Sequence, residues 1–95
     1  MYKSSKLEKI CTIYGHAQRA YGKVMAELIH HRIAEIKASD SIEQMVQFMI
    51  GRCHPLHGNM DGYYSMDLEH PYRLIISKDG KKLLCARVEN IEDYH

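Results

Sequence analysis

The apolar pattern of this chain changes period once, and the change falls in one short stretch. Up to Ala38 the apolar residues recur every three or four positions. Ala17, Ala20, Tyr21, Val24, Met25, Leu28, Ile29, Ile33 and Ile36 make one broad stripe, the signature of an amphipathic helix. From Gly62 the pattern alternates. Tyr64, Met66 and Leu68 oppose Tyr63, Ser65 and Asp67, and then Leu74 and Ile76 oppose Arg73, Ile75 and Ser77. Alternation of this kind marks strands with two different faces. Between the two regimes lie Gly51, Pro55, Gly58, Asn59 and Gly62. Helices followed by strands predict an α+β domain, its N-terminal helices packed on one face of a small antiparallel sheet whose other face stays open.

Local signals divide the chain further. Leu7, Ile10, Cys11 and Tyr14 predict a first helix over Lys6 to Tyr14, broken at Gly15. A second helix runs from His16 to Ala38. Gly22 inside it lowers helix propensity by roughly 1 kcal/mol relative to alanine and is expected where two helices cross closely. Ser41 followed by Gln44 is a capping box, opening a third helix with Ile42, Met45, Val46, Phe48 and Met49 directed to the core and Gly51 at its end. Tyr2 to Ser5 is a short edge strand. The later strands are Gly62 to Glu69, Tyr72 to Lys78 and Leu83 to Ile91, with a turn at His70-Pro71 and a hairpin at Lys78-Asp79-Gly80-Lys81. Two registers suit the last strand. The one chosen places Leu84, Ala86 and Val88 on the face of Leu74, because the other would bury Arg87 without a partner, at a cost of several kcal/mol. Arg73, Arg87, Asp67 and Tyr63 then share the open face.

Ninety-five residues make one domain, spanning 1–95. No run is long or apolar enough to span a bilayer, and the N-terminus lacks the apolar core of a signal peptide, so the expected location is cytoplasmic with no membrane partner. Three cysteines without a C-x-x-C pair fit buried or half-buried thiols in a reducing compartment. His30 and His31 are adjacent on a helix and point about 100° apart, so they cannot chelate one metal. Cys53, His54 and His57 are an awkward zinc set for the same reason of adjacency. No metal or cofactor is expected. The formal net charge is +1, so a nucleic-acid reading depends on where the charges cluster.

The polar residues of the second half suit one chemistry. RNA is cut when its 2′-hydroxyl attacks the adjacent phosphorus. A protein assists by removing that proton, stabilising the crowded phosphorane and protonating the leaving oxygen. Histidine suits the first and third tasks, and arginine, which forks onto phosphate oxygens, suits the second. The sequence offers His54, His57 and His95 for proton transfer and Arg73 and Arg87 as clamps. Tyr94 can donate, position or stack on a base, and Asp93 can orient an imidazole or act as a base. The order of residues does not assign general acid and general base among His54, Asp93, Tyr94 and His95.

The pentad His54-Pro55-Leu56-His57-Gly58, the run Gly62 to Leu68, Tyr72-Arg73-Leu74-Ile75 and the terminal Glu92-Asp93-Tyr94-His95 resemble the HigB branch of the RelE/ParE toxin superfamily. Leu7 to Cys11 and Ala38-Ser39-Asp40 extend the resemblance over nearly the whole chain. It implies the RelE-like (microbial RNase-like) fold. It also implies the toxin of a type II toxin–antitoxin system, a metal-independent endoribonuclease that cleaves mRNA on the ribosome and inhibits translation and growth. The functional set it implies is His54, Arg73, Asp93, Tyr94 and His95, with His57, Arg87 and Tyr63 on the RNA. Its implied partner is a HigA-like helix-turn-helix antitoxin, through which DNA is contacted indirectly. The pentad of the family usually carries lysine where this chain has His57, whose charge depends on protonation. Two alternatives stand: a ParE-like non-catalytic toxin that binds DNA gyrase, and a weakly active or regulatory member that mainly binds its antitoxin.

Overall fold

Ser4 starts the first helix by accepting a hydrogen bond from the Leu7 N–H at 3.1 Å. The computed structural model describes residues 2–79 and 85–93. Helix α1 (Ser5–Thr12) buries Leu7, Ile10 and Cys11. It breaks at Ile13, not at Gly15. Ile13 is extended (φ −116°, ψ 108°), a conformation that suits a β-branched residue. Its N–H closes α1 on the Lys9 carbonyl at 2.9 Å, and its own carbonyl accepts from His16 and Ala17 at 3.0 and 3.3 Å to open the next helix. Gly15 lies inside that helix, α2 (Tyr14–Tyr21).

The long stripe is two helices. Gly22, at φ 90° and ψ 172°, separates α2 from α3 (Lys23–Ala38). A Cβ on Gly22 would meet nothing within 4 Å, so no close crossing is involved. Its positive φ is what favours glycine. The Ser41 half of the capping box forms as expected, accepting from the Gln44 N–H at 3.0 Å, while the Gln44 side chain accepts from the N–H of Asp40, one residue before the cap, at 2.9 Å. Helix α4 (Ile42–Gln47) is shorter than predicted. Met49 takes a left-handed conformation (φ 54°) and turns the chain outward. Ile42 and Met45 are therefore core residues, but Phe48 and Met49 are 65% and 68% exposed.

A 3₁₀ turn (Ile50–Arg52) leads to β1 (His54–Pro55), a second 3₁₀ turn (Gly58–Met60), β2 (Tyr63–Asp67), β3 (Tyr72–Lys78) and β4 (Ala86–Asp93). Among the described residues the sheet has the order β1-β2-β3-β4, every neighbour antiparallel. The expected N-terminal strand is a single parallel bridge from Tyr2 to Val88. The register of β4 is the one that keeps Arg87 outward: Ala86 and Val88 are fully buried and Arg87 is exposed. Leu84 lies outside the described residues. A bulge follows. Ile75 pairs with Asn90 while Ile76 pairs with Val88, so Glu89 is the additional residue. The bulge lets Val88 and Ile91, three positions apart, both face the helices.

Met25, Ile29 and Ile36 of α3 pack with Met66, Leu74, Ile76 and Val88 of the sheet in one core. Each such side chain contributes about 1.5–3 kcal/mol by leaving water. Tyr21 meets Tyr72 edge to face at 5.3 Å. Arg32 of α3 donates from Nε to the Asp67 carbonyl at 2.7 Å, tying that helix to the end of β2. No helix among the described residues is long and apolar enough to cross a membrane.

Candidate active site

Residues directly opposite in an antiparallel pair present their side chains on the same face. The register therefore defines three rows on the face turned away from the helices. The middle row is His54, Ser65, Ile75 and Asn90. On one side of it lies Tyr63, Ser77 and Arg87, and on the other Asp67, Arg73 and Glu92. The sharing of one face by Arg73, Arg87, Asp67 and Tyr63 is as the sequence predicts. The centre of the face differs from expectation. Ser65 and Ile75 are only 1% and 2% exposed, and Met60 and Tyr63 line one groove with Ile75.

His54 stands on the edge strand, exposed. Its Nδ1 lies 2.9 Å from the Arg52 carbonyl. A carbonyl only accepts, so Nδ1 carries the proton in this bond and the neutral ring keeps its lone pair on Nε2. Arg52 is held at φ 54°, a left-handed conformation that costs a non-glycine residue about 1–2 kcal/mol. Its Nε lies 3.4 Å from Asp67 Oδ2. A strained residue thus presents the carbonyl that sets the imidazole.

Arg73 is two strands away and one row over. Strand spacing and rise put the Cα atoms of His54 and Arg73 about 12 Å apart, a span that an imidazole and a guanidinium can close from both sides on one phosphate. Arg73 donates from Nε to Glu92 Oε2 at 2.6 Å, and Nη2 approaches the same oxygen at 2.5 Å. The sequence placed Asp67 beside Arg73 on the open face but did not indicate Glu92. The missed signal was the length of the last strand. It continues to Asp93, and with Ile91 facing the core, Glu92 must face outward beside Arg73.

Asp93 is aligned with Tyr72, on the helix-side face, so it is not in the row of Arg73. Tyr94 and His95 lie outside the described residues. His57 is exposed and heads the second 3₁₀ turn. Because Leu56 N–H bonds to the Tyr63 carbonyl at 2.9 Å, His57 falls beyond Tyr63, toward Arg87 and away from Arg73. Arg87 lies 3.7 Å from Glu89 Oε2, which also accepts from the Ser77 hydroxyl at 2.6 Å. The face therefore brings together His54, Arg73, Tyr63 and Arg87, with Glu92 added.

The thiols do not join this set. Burial pushes Cys11 up to about 12, and burial, with Cys85 nearby, pushes Cys53 up to about 11. Neither is a thiolate near neutral pH.

Helices packed on one face of a four-stranded antiparallel sheet match a RelE/YoeB-like toxin fold. Two solved structures carry the likeness. The YoeB–YefM complex from Staphylococcus aureus superposes with a TM-score of 0.64 at 22% identity, over 100% of this chain and 93% of the other. The YoeB/ParE toxin from Agrobacterium tumefaciens gives 0.66 at 17% identity, over 100% and 96%. No family model and no curated protein sequence matches the chain.

Proposed function

We propose that the chain is the toxin of a type II toxin–antitoxin pair, of the HigB kind, and that it cuts mRNA on the ribosome by general acid–base catalysis. The observation that carries this reading is the shared face of His54 and Arg73. His54 Nε2 takes or returns the proton, and Arg73 clamps the phosphate as charge develops on it. Glu92 orients the Arg73 fork. Tyr63 stacks on a base, and Arg87 and His57 meet the backbone at the far end of the face. Tyr94 and His95 complete the proton-transfer set, as the resemblance implies, whereas Asp93, on the other face of β4, is left out of it. The toxin fold, shared with a structure titled as a YoeB–YefM complex, supports an antitoxin as the protein partner, which we assign to the helix-turn-helix class.

The test is primer extension on mRNA during induced translation without antitoxin. Wild type is compared with His54→Gln and His95→Gln, each matched for folding and expression. Discrete cuts that vanish in the variants are expected. Growth arrest with intact mRNA would instead indicate gyrase binding, read by DNA supercoiling. Neither cuts nor arrest would leave antitoxin binding as the activity.

A further inference from the structure

The charge of this chain is unevenly distributed. Residues 1–23 contain Lys3, Lys6, Lys9, Arg19 and Lys23 against the single acid Glu8, five minus one or +4; the remaining residues contain eight cations and eleven acids, or −3, which together give the overall +1. The two sets also differ in pairing. Arg32, Arg52, Arg73, Lys78 and Arg87 each have a carboxylate partner. Among the described residues Lys3, Lys6, Lys9, Arg19 and Lys23 form no ion pair, and in the second set only Lys37 shares this.

Three of these cations, Lys6, Lys9 and Arg19, converge with His16. Lys6 and Lys9 are three apart on α1, and His16 and Arg19 are three apart on α2, so each pair lies on one side of its helix. The two pairs line one cleft of about 420 Å³, together with Ile10 and Ala20. Glu8 lies on the side of α1 near Tyr2. The cleft adjoins a larger groove of about 710 Å³. Lys6 and Ile10 line both, and the groove adds Lys3 and runs to Tyr63, Ile75 and Glu92 on the candidate active face. Cations left without ion-pair partners suit a polyanion, and the shared wall of Lys6 and Ile10 makes the polyanion that occupies the active face the natural occupant.

We propose that the α1–α2 cleft is a second binding site for the same single-stranded RNA, holding phosphates of the strand beyond the point of cleavage through Lys3, Lys6, Lys9, His16 and Arg19. This rests on RNA being the substrate. Asn90, in the groove between the two sites, presents an amide that can donate to and accept from a base edge.

The test is fluorescence anisotropy of labelled RNA with His54→Gln protein, which binds without cutting, over a series of salt concentrations. The variant Lys6→Gln/Lys9→Gln/Arg19→Gln is compared in that background. All three residues are exposed, and unchanged thermal midpoints verify folding. With RNA of about sixteen nucleotides the triple variant is expected to bind at least tenfold more weakly, with a salt slope shallower by about 2, at about 0.7 per lost single-strand contact. With about four nucleotides, too short to reach from the face to the cleft, the two proteins are expected to bind alike. Lys37→Gln, on α3, is expected to change neither. Equal affinity and equal slope on the long RNA would overturn the proposal. A separate cleavage assay with His54 intact, on mRNA programmed into ribosomes, keeps the two readings apart. Cutting with an unchanged KM in the triple variant would reject the cleft and leave the ribonuclease. RNA that binds through the cleft but is never cut would reject the ribonuclease and leave the cleft.

Discussion

Glu92 lies directly opposite Arg73 across β3 and β4, and its Oε2 receives the Arg73 Nε at 2.6 Å. The pair is half-shielded, with side chains 16% and 31% exposed, so the guanidinium plane is fixed before any phosphate arrives. Glu92→Gln keeps the shape and removes the charge. The expected result is a fall in kcat of about tenfold, the size of a charge-assisted hydrogen bond, with KM and thermal midpoint nearly unchanged. An increase in kcat would mean that Glu92 restrains Arg73 and does not serve it.

His57 stands at the Tyr63 and Arg87 end of the face, where a permanent cation would meet the RNA backbone at any pH. His57→Lys is expected to raise cleavage above neutral pH by about threefold, the value of one exposed charge contact, and to change little in acid. Rate profiles against pH for the two proteins decide it. Superimposable profiles would remove His57 from the RNA path.

Gly51 supports the site from behind. At φ 58°, a Cβ there would lie 2.9 Å from Arg32 Cδ, Arg32 Nε and Met66 Cε. Arg32 cannot readily yield, because its Nε holds the Asp67 carbonyl and its Nη1 holds Glu35. Gly51→Ala is expected to lower the unfolding free energy by about 2–4 kcal/mol, from the left-handed backbone and overpacking together. Urea titration measures it. A loss below about 0.5 kcal/mol would show that Arg32 and Met66 relax freely.

The thiols give a pH dependence of stability. Cys11 rises from its ordinary value of 9.0 to about 12 and Cys53 to about 11 through burial. Above pH 9 the unfolded chain loses these protons before the folded one does. Their contribution is therefore complete below pH 9 and is lost as pH rises through the folded values. Tyr2 and Tyr21 are raised by burial too and act in the same direction. The urea midpoint is expected to fall as pH rises from about 9 towards about 12, and less steeply in Cys11→Ala. Native Cys11 and Cys53 should also resist alkylation at neutral pH, and rapid modification of either would contradict their burial.

The sequence by itself determined what depends on neighbours along the chain. The order of helices before strands, the Ser41–Gln44 cap, the extent of β3 and the outward turn of Arg87 all follow from local periodicity or from the cost of burying a charge. The positive φ of Gly22 breaks the long stripe where glycine alone was the clue, but Ile13, not Gly15, makes the earlier break, through its extended backbone. Phe48 and Met49 continue the apolar period of α4, yet the chain leaves the helix before that period can bury them. The tertiary structure decided what depends on pairing between distant strands. The bulge at Glu89 shifts β4 so that Glu92 reaches Arg73, and Asp93 falls on the other face opposite Tyr72. The pairing of β1 with β2 sets His54 in the row beside Arg73 and moves His57 to the opposite end. A shift of one residue exchanges the two faces of a strand. Side chains of matching chemistry could therefore be named from the sequence, while the three rows that bring them together exist only once the sheet has formed.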